Sequence, residues 1–191
     1  KRKTEELGLK NIDYMQADIL DLGELDKKFD IIESTGVLHH MDDPMAGWRV
    51  LTDCLESGGL MKIGLYSDLA RQSILKMWEE ISQSGLGSSD DAIKLFRIDV
   101  INSDKAHHQQ IRTSGDFYSL STVRDLLFHV QEHRFTIPQI KDGLTGLGLK
   151  FCGFESDNIV KNFKLTNTGK DDPYDLDKWG LYERDNPRSF A

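Results

Sequence analysis

Histidines and one short motif supply the residues of this chain that are best suited to chemistry. His39 and His40 follow a short apolar segment, and His107 and His108 fall in a predicted loop, where they are expected to be solvated. A histidine can take a proton from a substrate near neutral pH, so His39 and His40 are candidate general bases. Adjacent side chains diverge in a helix or a strand, and we therefore predict no shared metal ion at this pair.

The segment HVQEH at residues 129–133 matches a zinc-peptidase signature. His129 and His133 are four residues apart and would share one face of a helix, with Glu132 available as a base. The surrounding apolar positions equally predict an ordinary amphipathic helix with Glu132 and His133 on its surface. No third ligand in a matched context follows, so the sequence predicts no metal site, and a zinc hydrolase is kept as the weakest functional alternative.

Composition narrows the classes of protein that the chain can belong to. The 191 residues carry a net charge of −8, which argues against nucleic acid as a partner because phosphate binding needs clustered Lys and Arg. No apolar run is long enough to span a membrane. Cys54 and Cys152 are far apart within apolar patterns and are expected to be buried thiols, which favours a cytoplasmic location. The first residue is Lys1 rather than Met, so we expect the natural protein to extend upstream.

The pattern of apolar residues predicts four strands and a βαβ unit. Strands are predicted over residues 12–19, 29–34, 60–66 and 149–155. Between the second and third, Asp43 and Pro44 begin a helix that Ser57 to Gly59 end. A further helix begins near Thr136 and ends around Gly146 and Gly148. Strand, helix and strand in this order predict parallel pairing of residues 29–34 with residues 60–66.

Three segments follow from this pattern. Residues 1–67 and 134–191 are the two parts of the predicted α/β core, and residues 68–133 are predicted to be a mainly helical insertion, or lid, over the carboxyl edge of the sheet. We expect Tyr118 or Phe117 to face the end of the strand at Tyr66. The polar tail from Lys161 is expected to be extended or partly disordered.

Four segments carry a resemblance to a known family: QADIL at 16–20, FDIIESTGVLHHM at 29–41, WRVLTDCLESGGLMKIGLY at 48–66 and GLGLKFCGFE at 146–155. Together they resemble class I S-adenosylmethionine (SAM)-dependent methyltransferases. The segment DFYSLSTVRDLLFHVQEHRF at 116–135 is also similar to methyltransferases fused to tetratricopeptide repeats, which implies an upstream repeat domain in the same protein. The resemblance implies a partial Rossmann-like, doubly wound α/β fold and methyl transfer from SAM to an unidentified acceptor.

The resemblance also implies roles for particular residues. The Asp18 carboxylate would accept from the adenine amino group of SAM, with Ile19 beside it. The methionine end of SAM would lie against the turn after the next strand, where Gly36 allows close approach. The full set of candidates is Asp18, Ile19, Ser34, Thr35, Gly36 and Val37 for SAM; His39, His40 and Tyr66 for catalysis; and Tyr118, Phe117 and Arg71 for the substrate.

The sequence departs from the family pattern in two places. Within these 191 residues there is no Gly-rich loop after a first strand and no acidic residue that would hold the ribose, and we expect both upstream of Lys1. The chain alone is therefore expected to bind SAM weakly or not at all. In the family, residues 12–17 and 29–34 belong to strands that are not neighbours, so we predict no ladder between them. A non-catalytic accessory domain that binds a partner remains the main alternative.

Overall fold

The computed structural model of the chain describes residues 1–128 and 131–190. Its strands are β1 (Phe29–Ser34), β2 (Leu55–Ile63), β3 (Tyr66–Ser67) and β4 (Arg134–Phe135). Its helices are α1 (Arg2–Glu6), α2 (Pro44–Asp53), α3 (Gln72–Ser84), α4 (Asp90–Ile101), α5 (Ala106–Ile111), α6 (Leu120–Phe128), α7 (Ile137–Gly146), α8 (Asp157–Lys164) and α9 (Leu176–Asp185). Four short 3-10 helices span Ile19–Leu25, Leu38–His40, Gly115–Tyr118 and Asp172–Tyr174.

Two parallel strands and the helix between them form the centre of the α/β part. β1 pairs with β2 in parallel, with Ile31 opposite Leu60 and Ser34 opposite Ile63. Parallel pairing across a helical connection confirms the predicted α/β class and the predicted neighbours. The predicted strand 60–66 is divided, however, because Gly64 and Leu65 separate β2 from β3, which pairs in parallel with β4.

The connecting helix α2 begins where the sequence predicts and ends earlier. The Asp43 side chain accepts from the backbone N–H groups of Met45 and Ala46 at 2.9 and 3.1 Å, which caps the helix. Trp48 and Leu51 are buried with Ile32 of β1 in a first core. The helix ends at Asp53, so Leu55, which lies inside the predicted helix, instead begins β2.

Two strand predictions are wrong. Residues 12–18 and 149–155 lie in no strand, and residues 12–17 form no ladder with residues 29–34, as predicted. An alternating pattern makes a strand only when a neighbouring strand accepts its hydrogen bonds. Tyr14 instead hydrogen-bonds to Thr4, and Phe151 and Phe154 pack in a core around Trp179.

The 68–133 segment is mainly helical in its described residues, as predicted. Its helices α3 to α6 enclose a second core, in which Met77, Ile93, Val100 and Val123 are fully buried. None of the helices in the described residues combines the length and the apolar content needed to cross a bilayer.

The C-terminal tail contradicts its prediction, because it forms α8 and α9 rather than an extended segment. Phe163 and Trp179 stack with ring centroids 3.7 Å apart and are fully buried with Ile137 in a third core. Cys152 is also unlike its prediction, since it is exposed, whereas Cys54 is buried.

Candidate functional site

A cavity of about 570 Å³ lies at the carboxyl ends of β1 and β2. Thr35, Gly36 and His39 line it on the β1 side, and Gly64 and Tyr66 line it beyond β2. In open α/β sheets, ligands bind at this edge, because loops that follow parallel strands converge there. The opposite wall comes from the 68–133 segment, with Gln110, Ser114, Asp116, Thr122 and Asp125 among its residues.

At the end of β1, the backbone carbonyl of Ser34 has a hydrogen-bond partner, but the Ser34 side chain has none. Gly64 N–H donates to the Ser34 carbonyl at 2.9 Å and joins the two strand ends. The Ser34 hydroxyl oxygen is buried without a partner. Gly36 adopts a φ of +74°, and a Cβ there would meet nothing within 4 Å. This glycine therefore leaves open space beside the backbone, and a ligand can approach the chain closely at that point.

His39 is the most buried polar side chain of the cavity wall, with 3% of its surface exposed. Its Nδ1 lies 3.4 Å from the Gly64 carbonyl oxygen, and Nε2 is buried without a partner. Since a carbonyl can only accept, Nδ1 carries the proton and Nε2 keeps a lone pair. Burial, followed by repulsion from His40, lowers the pKa of His39 to about 4. His39 is therefore neutral at physiological pH and able to accept a hydrogen bond.

His40 and Tyr66 both contact the His39 ring, with centroids 4.2 Å away in each case. His40 Nδ1 lies 2.9 Å from the Gln131 carbonyl oxygen, which directs this ring toward the chain after α6. Tyr66 lines the cavity, and burial raises the pKa of its hydroxyl. The three residues predicted for catalysis are thus brought together by the short 3-10 turn after β1 and by β3.

Arg71 lines the cavity as part of a buried ion pair. Its guanidinium lies 3.6 Å above the Tyr66 ring and donates to both carboxylate oxygens of Glu132, at 3.2 and 2.6 Å. The side chains of Arg71 and Glu132 are 14% and 2% exposed. The expectation that Glu132 lies on the surface is wrong, because its carboxylate neutralises this buried cation.

Phe117 and Tyr118 lie beside the cavity wall without forming it. Phe117 is fully buried in the second core, and Tyr118 is 57% exposed, with its hydroxyl donating to the Arg112 carbonyl at 3.0 Å. The prediction that one of them faces Tyr66 is not met, and their neighbour Asp116 lines the cavity instead. Phe117 fills the second core instead, because an apolar ring gains free energy from burial.

Five further predicted site residues lie outside the cavity lining: Asp18, Ile19, Ser34, Val37 and His40. The Asp18 carboxylate accepts from the Leu20 backbone N–H at 2.9 Å and caps the 3-10 helix Ile19–Leu25. Ile19 packs against the first core, and Val37 is 43% exposed. The contacts of the first four with SAM stay predictions.

The described residues of the HVQEH segment, 131–133, are not arranged as in a zinc-peptidase site. His129 lies outside the described residues. The carboxylate of Glu132, the predicted base, forms an ion pair with Arg71. The His133 backbone N–H donates to the His39 carbonyl at 2.7 Å. The segment thus ties the end of the 68–133 segment to the turn that carries His39.

Several cavity residues have no signal in the sequence patterns. Gly64 is critical for the close approach of the two strand ends, since a Cβ there would come within 2.3 Å of the Thr35 side chain. Phe190 reaches the cavity from the C-terminal segment and also packs on Phe154. Only a glycine inside the predicted strand 60–66 could have indicated the role of Gly64, since glycine within a strand often marks a close approach of backbones.

The chain is similar to known proteins in two comparisons. Residues 1–63 match the family model described as "Methyltransferase domain". The chain is also 28% identical over 182 residues to a protein of Synechococcus sp. named "Uncharacterized protein syc1184_c". That alignment covers 90% of this chain and 43% of the relative, so the chain spans less than half the length of this relative.

Proposed function

We propose that this chain, whose residues 1–63 match a methyltransferase domain model, belongs to a class I SAM-dependent methyltransferase and binds the methyl acceptor and the methionine end of SAM in the cavity after β1 and β2. The family match supports methyl transfer in general. The cavity supports the finer proposal, because it lies at the carboxyl ends of parallel strands, where ligands of open α/β sheets bind.

The residues around Gly36 fit the cofactor. The buried Nε2 of His39 has no partner in the protein, and Gly36 leaves the backbone open in the lining of the same cavity. Buried polar atoms without a partner are costly, so a ligand that offers hydrogen bonds would be stabilised there. When bound, SAM supplies an activated methyl group, and the protein supplies binding and alignment.

His39 is the proposed proton acceptor. Its lone pair on Nε2 is held in place by the Nδ1 contact to Gly64, and its low pKa keeps it unprotonated. The proton that an acceptor N–H or O–H group loses on methylation would pass to this nitrogen. Tyr66 and the Arg71–Glu132 pair would form the wall that positions the acceptor.

Two glycine variants test where SAM binds. Gly36 and Gly58 both have a positive φ, +74° and +82°, and a Cβ at either position meets nothing within 4 Å. Replacing either by alanine should therefore cost a similar free energy of unfolding, about 1–2 kcal/mol. Only Gly36 lines the cavity. We expect Gly36→Ala to weaken SAM binding in calorimetric titrations and Gly58→Ala to leave it unchanged.

The titration is best made both with this chain and with a longer protein that contains it. Equal SAM affinity in the Gly36→Ala and Gly58→Ala variants would show that the turn after β1 does not hold the cofactor. No SAM binding in either protein would instead favour a non-catalytic methyltransferase-like domain.

A further inference from the structure

Glu80, His107 and His108 form a compact polar cluster in the 68–133 segment, away from the cavity. His107 Nε2 lies 2.8 Å from Glu80 Oε1, and His108 Nε2 lies 2.6 Å from Glu80 Oε2. The three side chains offer ligand atoms that all lie within 4.8 Å of one another. The expectation that both histidines are solvated is wrong, because the side chains of His107 and His108 are only 16% and 5% exposed.

The cluster joins two helices. Glu80 lies on α3 and the histidines in the first turn of α5. Adjacent residues of a helix point about 100° apart at Cβ, but an imidazole Nε2 lies far enough from the backbone for two rings to converge. Here the ring centroids are 4.5 Å apart, and both Nε2 atoms reach one carboxylate.

We propose that Glu80, His107 and His108 bind Zn²⁺ or a chemically similar divalent ion such as Co²⁺. Two imidazole nitrogens and a carboxylate oxygen form a donor set that suits these borderline ions. Tetrahedral zinc with ligands at about 2.1 Å spaces its donor atoms about 3.4 Å apart. The present separations of 2.6 and 2.8 Å need to open only slightly to admit the ion.

Binding requires the Nε2 atom of each histidine to exchange its hydrogen for the ion. Each Nε2 now donates a hydrogen to the Glu80 carboxylate, which can only accept. As a metal ligand, each histidine would be neutral with its proton on Nδ1 and its Nε2 lone pair on the ion. Water would complete the coordination, since three protein ligands leave a position open.

Lys105 is the built-in competitor for this carboxylate. Its Nζ lies 2.7 Å from Glu80 Oε1, and its side chain is 56% exposed, so it can turn into solvent without leaving a buried site. The ammonium and a divalent ion would compete for the same negative charge. Lys105 should therefore lower the affinity of the site for the ion.

The position of the cluster gives the ion a mechanical role. The α3 helix also carries Ser73 and Ile74 to the cavity wall, and α5 carries Gln110 and Ile111. An ion that links Glu80 to the histidines would fix these two helices to each other and stiffen that wall. The cluster would bind the ion whether or not the protein transfers methyl groups.

The test is a calorimetric titration of Zn²⁺ alone into the full chain. The absorption spectrum of added Co²⁺ provides a second readout. We expect saturable binding of one ion per chain. Glu80→Gln and His108→Ala should each weaken it by about 10–100-fold, a range that even indirect contacts to a metal produce. Lys105→Met should tighten it, and Gln109→Ala, an exposed position of the same helix, should leave it unchanged.

Two results would overturn the site. One is a Zn²⁺ affinity that is the same in the wild type and in the Glu80→Gln and His108→Ala proteins, provided that thermal melting shows these variants folded. The other is the absence of saturable binding in both the wild type and Lys105→Met. The lysine variant keeps the test decisive, because a cluster that serves only as an ion pair gives no reason for zinc affinity to rise when Lys105 is lost.

Discussion

At the residue scale, the protonation of His39 links the cavity to the stability of the protein. Its pKa is lowered to about 4 in the folded protein, against the ordinary value near 6.5, chiefly because burial disfavours the charged ring. Between these values the unfolded chain binds a proton that the folded protein does not. His39 therefore has little effect on the free energy of unfolding well above pH 6.5, where its ring is neutral in both states. As the pH falls from 6.5 toward 4, His39 lowers the free energy of unfolding increasingly.

This difference predicts how a His39 variant responds to pH. The stability lost between pH 7.5 and pH 4 through His39 should approach about 3 kcal/mol. His39→Gln, which cannot be protonated, should show a flatter dependence of the free energy of unfolding on pH in urea denaturation. Wild type and variant with parallel pH profiles would mean that His39 titrates equally in the folded and unfolded states.

The Arg71–Glu132 pair supplies a second prediction at this scale. Glu132→Gln leaves the Arg71 guanidinium, whose side chain is only 14% exposed, without its charge partner. Breaking a buried pair in this way typically costs about 3–5 kcal/mol, because one charge remains desolvated. Urea denaturation should therefore show a large decrease in the free energy of unfolding for Glu132→Gln. The decrease should be smaller for the double variant Arg71→Met, Glu132→Leu. A single variant as stable as wild type would show that water reaches the guanidinium.

At the scale of elements, the cap of α7 offers a matched pair of threonine variants. The Thr136 side chain accepts from the Gln139 backbone N–H, and the Gln139 side chain accepts from the Thr136 N–H, so both donors are satisfied. Thr136→Ala should destabilise the protein by about 1 kcal/mol. Thr145→Ala, on the exposed side of the same helix, should be nearly neutral in the same thermal or urea measurements. A similar loss of stability in both variants would show that the effect of Thr136→Ala does not come from the helix cap.

Local signals explain which elements the sequence predicts correctly. β1 has adjacent β-branched residues, Ile31 and Ile32, and α2 and α7 have a capping residue followed closely by proline, so each carries its own start signal. Residues 12–18 and 149–155 have strand-like patterns, but whether a strand forms depends on a neighbour distant in sequence. The helices α8 and α9 are missed for the converse reason, since the stacking of Phe163 on Trp179 is long-range.

The same distinction applies to the candidate site. Gly36, His39 and Tyr66 could be predicted because they follow predicted strands, and the ends of parallel strands converge. The pairing of Arg71 with Glu132 and the approach of Phe190 join residues far apart in the chain. No pattern of residue types identifies such partners, because each depends on how separate helices pack.

At the scale of the whole molecule, three cores meet around one cavity. The first core supports the strand ends, the second supports the wall from the 68–133 segment, and the third carries Phe190 to the rim. The Ser67 hydroxyl donates to Glu183 at 2.5 Å and ties β3 to α9, and burial raises the pKa of that carboxyl. The C-terminal helix is thereby fixed to the strand that carries Tyr66.

The affinity for SAM is limited by the few contacts that the residues of this chain would make with it. Within the chain, SAM would have the turn at Gly36 and, by resemblance, the Asp18 carboxylate. Each is worth about 1–3 kcal/mol, which barely offsets the cost of immobilising a flexible ligand. We therefore expect this chain alone to bind SAM weakly or not at all, and a longer protein that contains it to bind SAM with a Kd on the order of micromolar.

Variants of Asp18 in that longer protein separate cofactor contact from helix capping. Asp18→Ala should weaken SAM binding by about tenfold or more, which corresponds to about 1.4 kcal/mol per decade. Asp18→Asn keeps a side-chain oxygen for the Leu20 N–H but loses the negative charge, and it should also weaken binding if the carboxylate accepts from adenine. Asp21→Ala, in the same 3-10 helix, is the matched control and should bind normally. If the longer protein shows no SAM binding at high concentration, the proposal of methyl transfer fails, and a domain that binds a partner without catalysis takes its place.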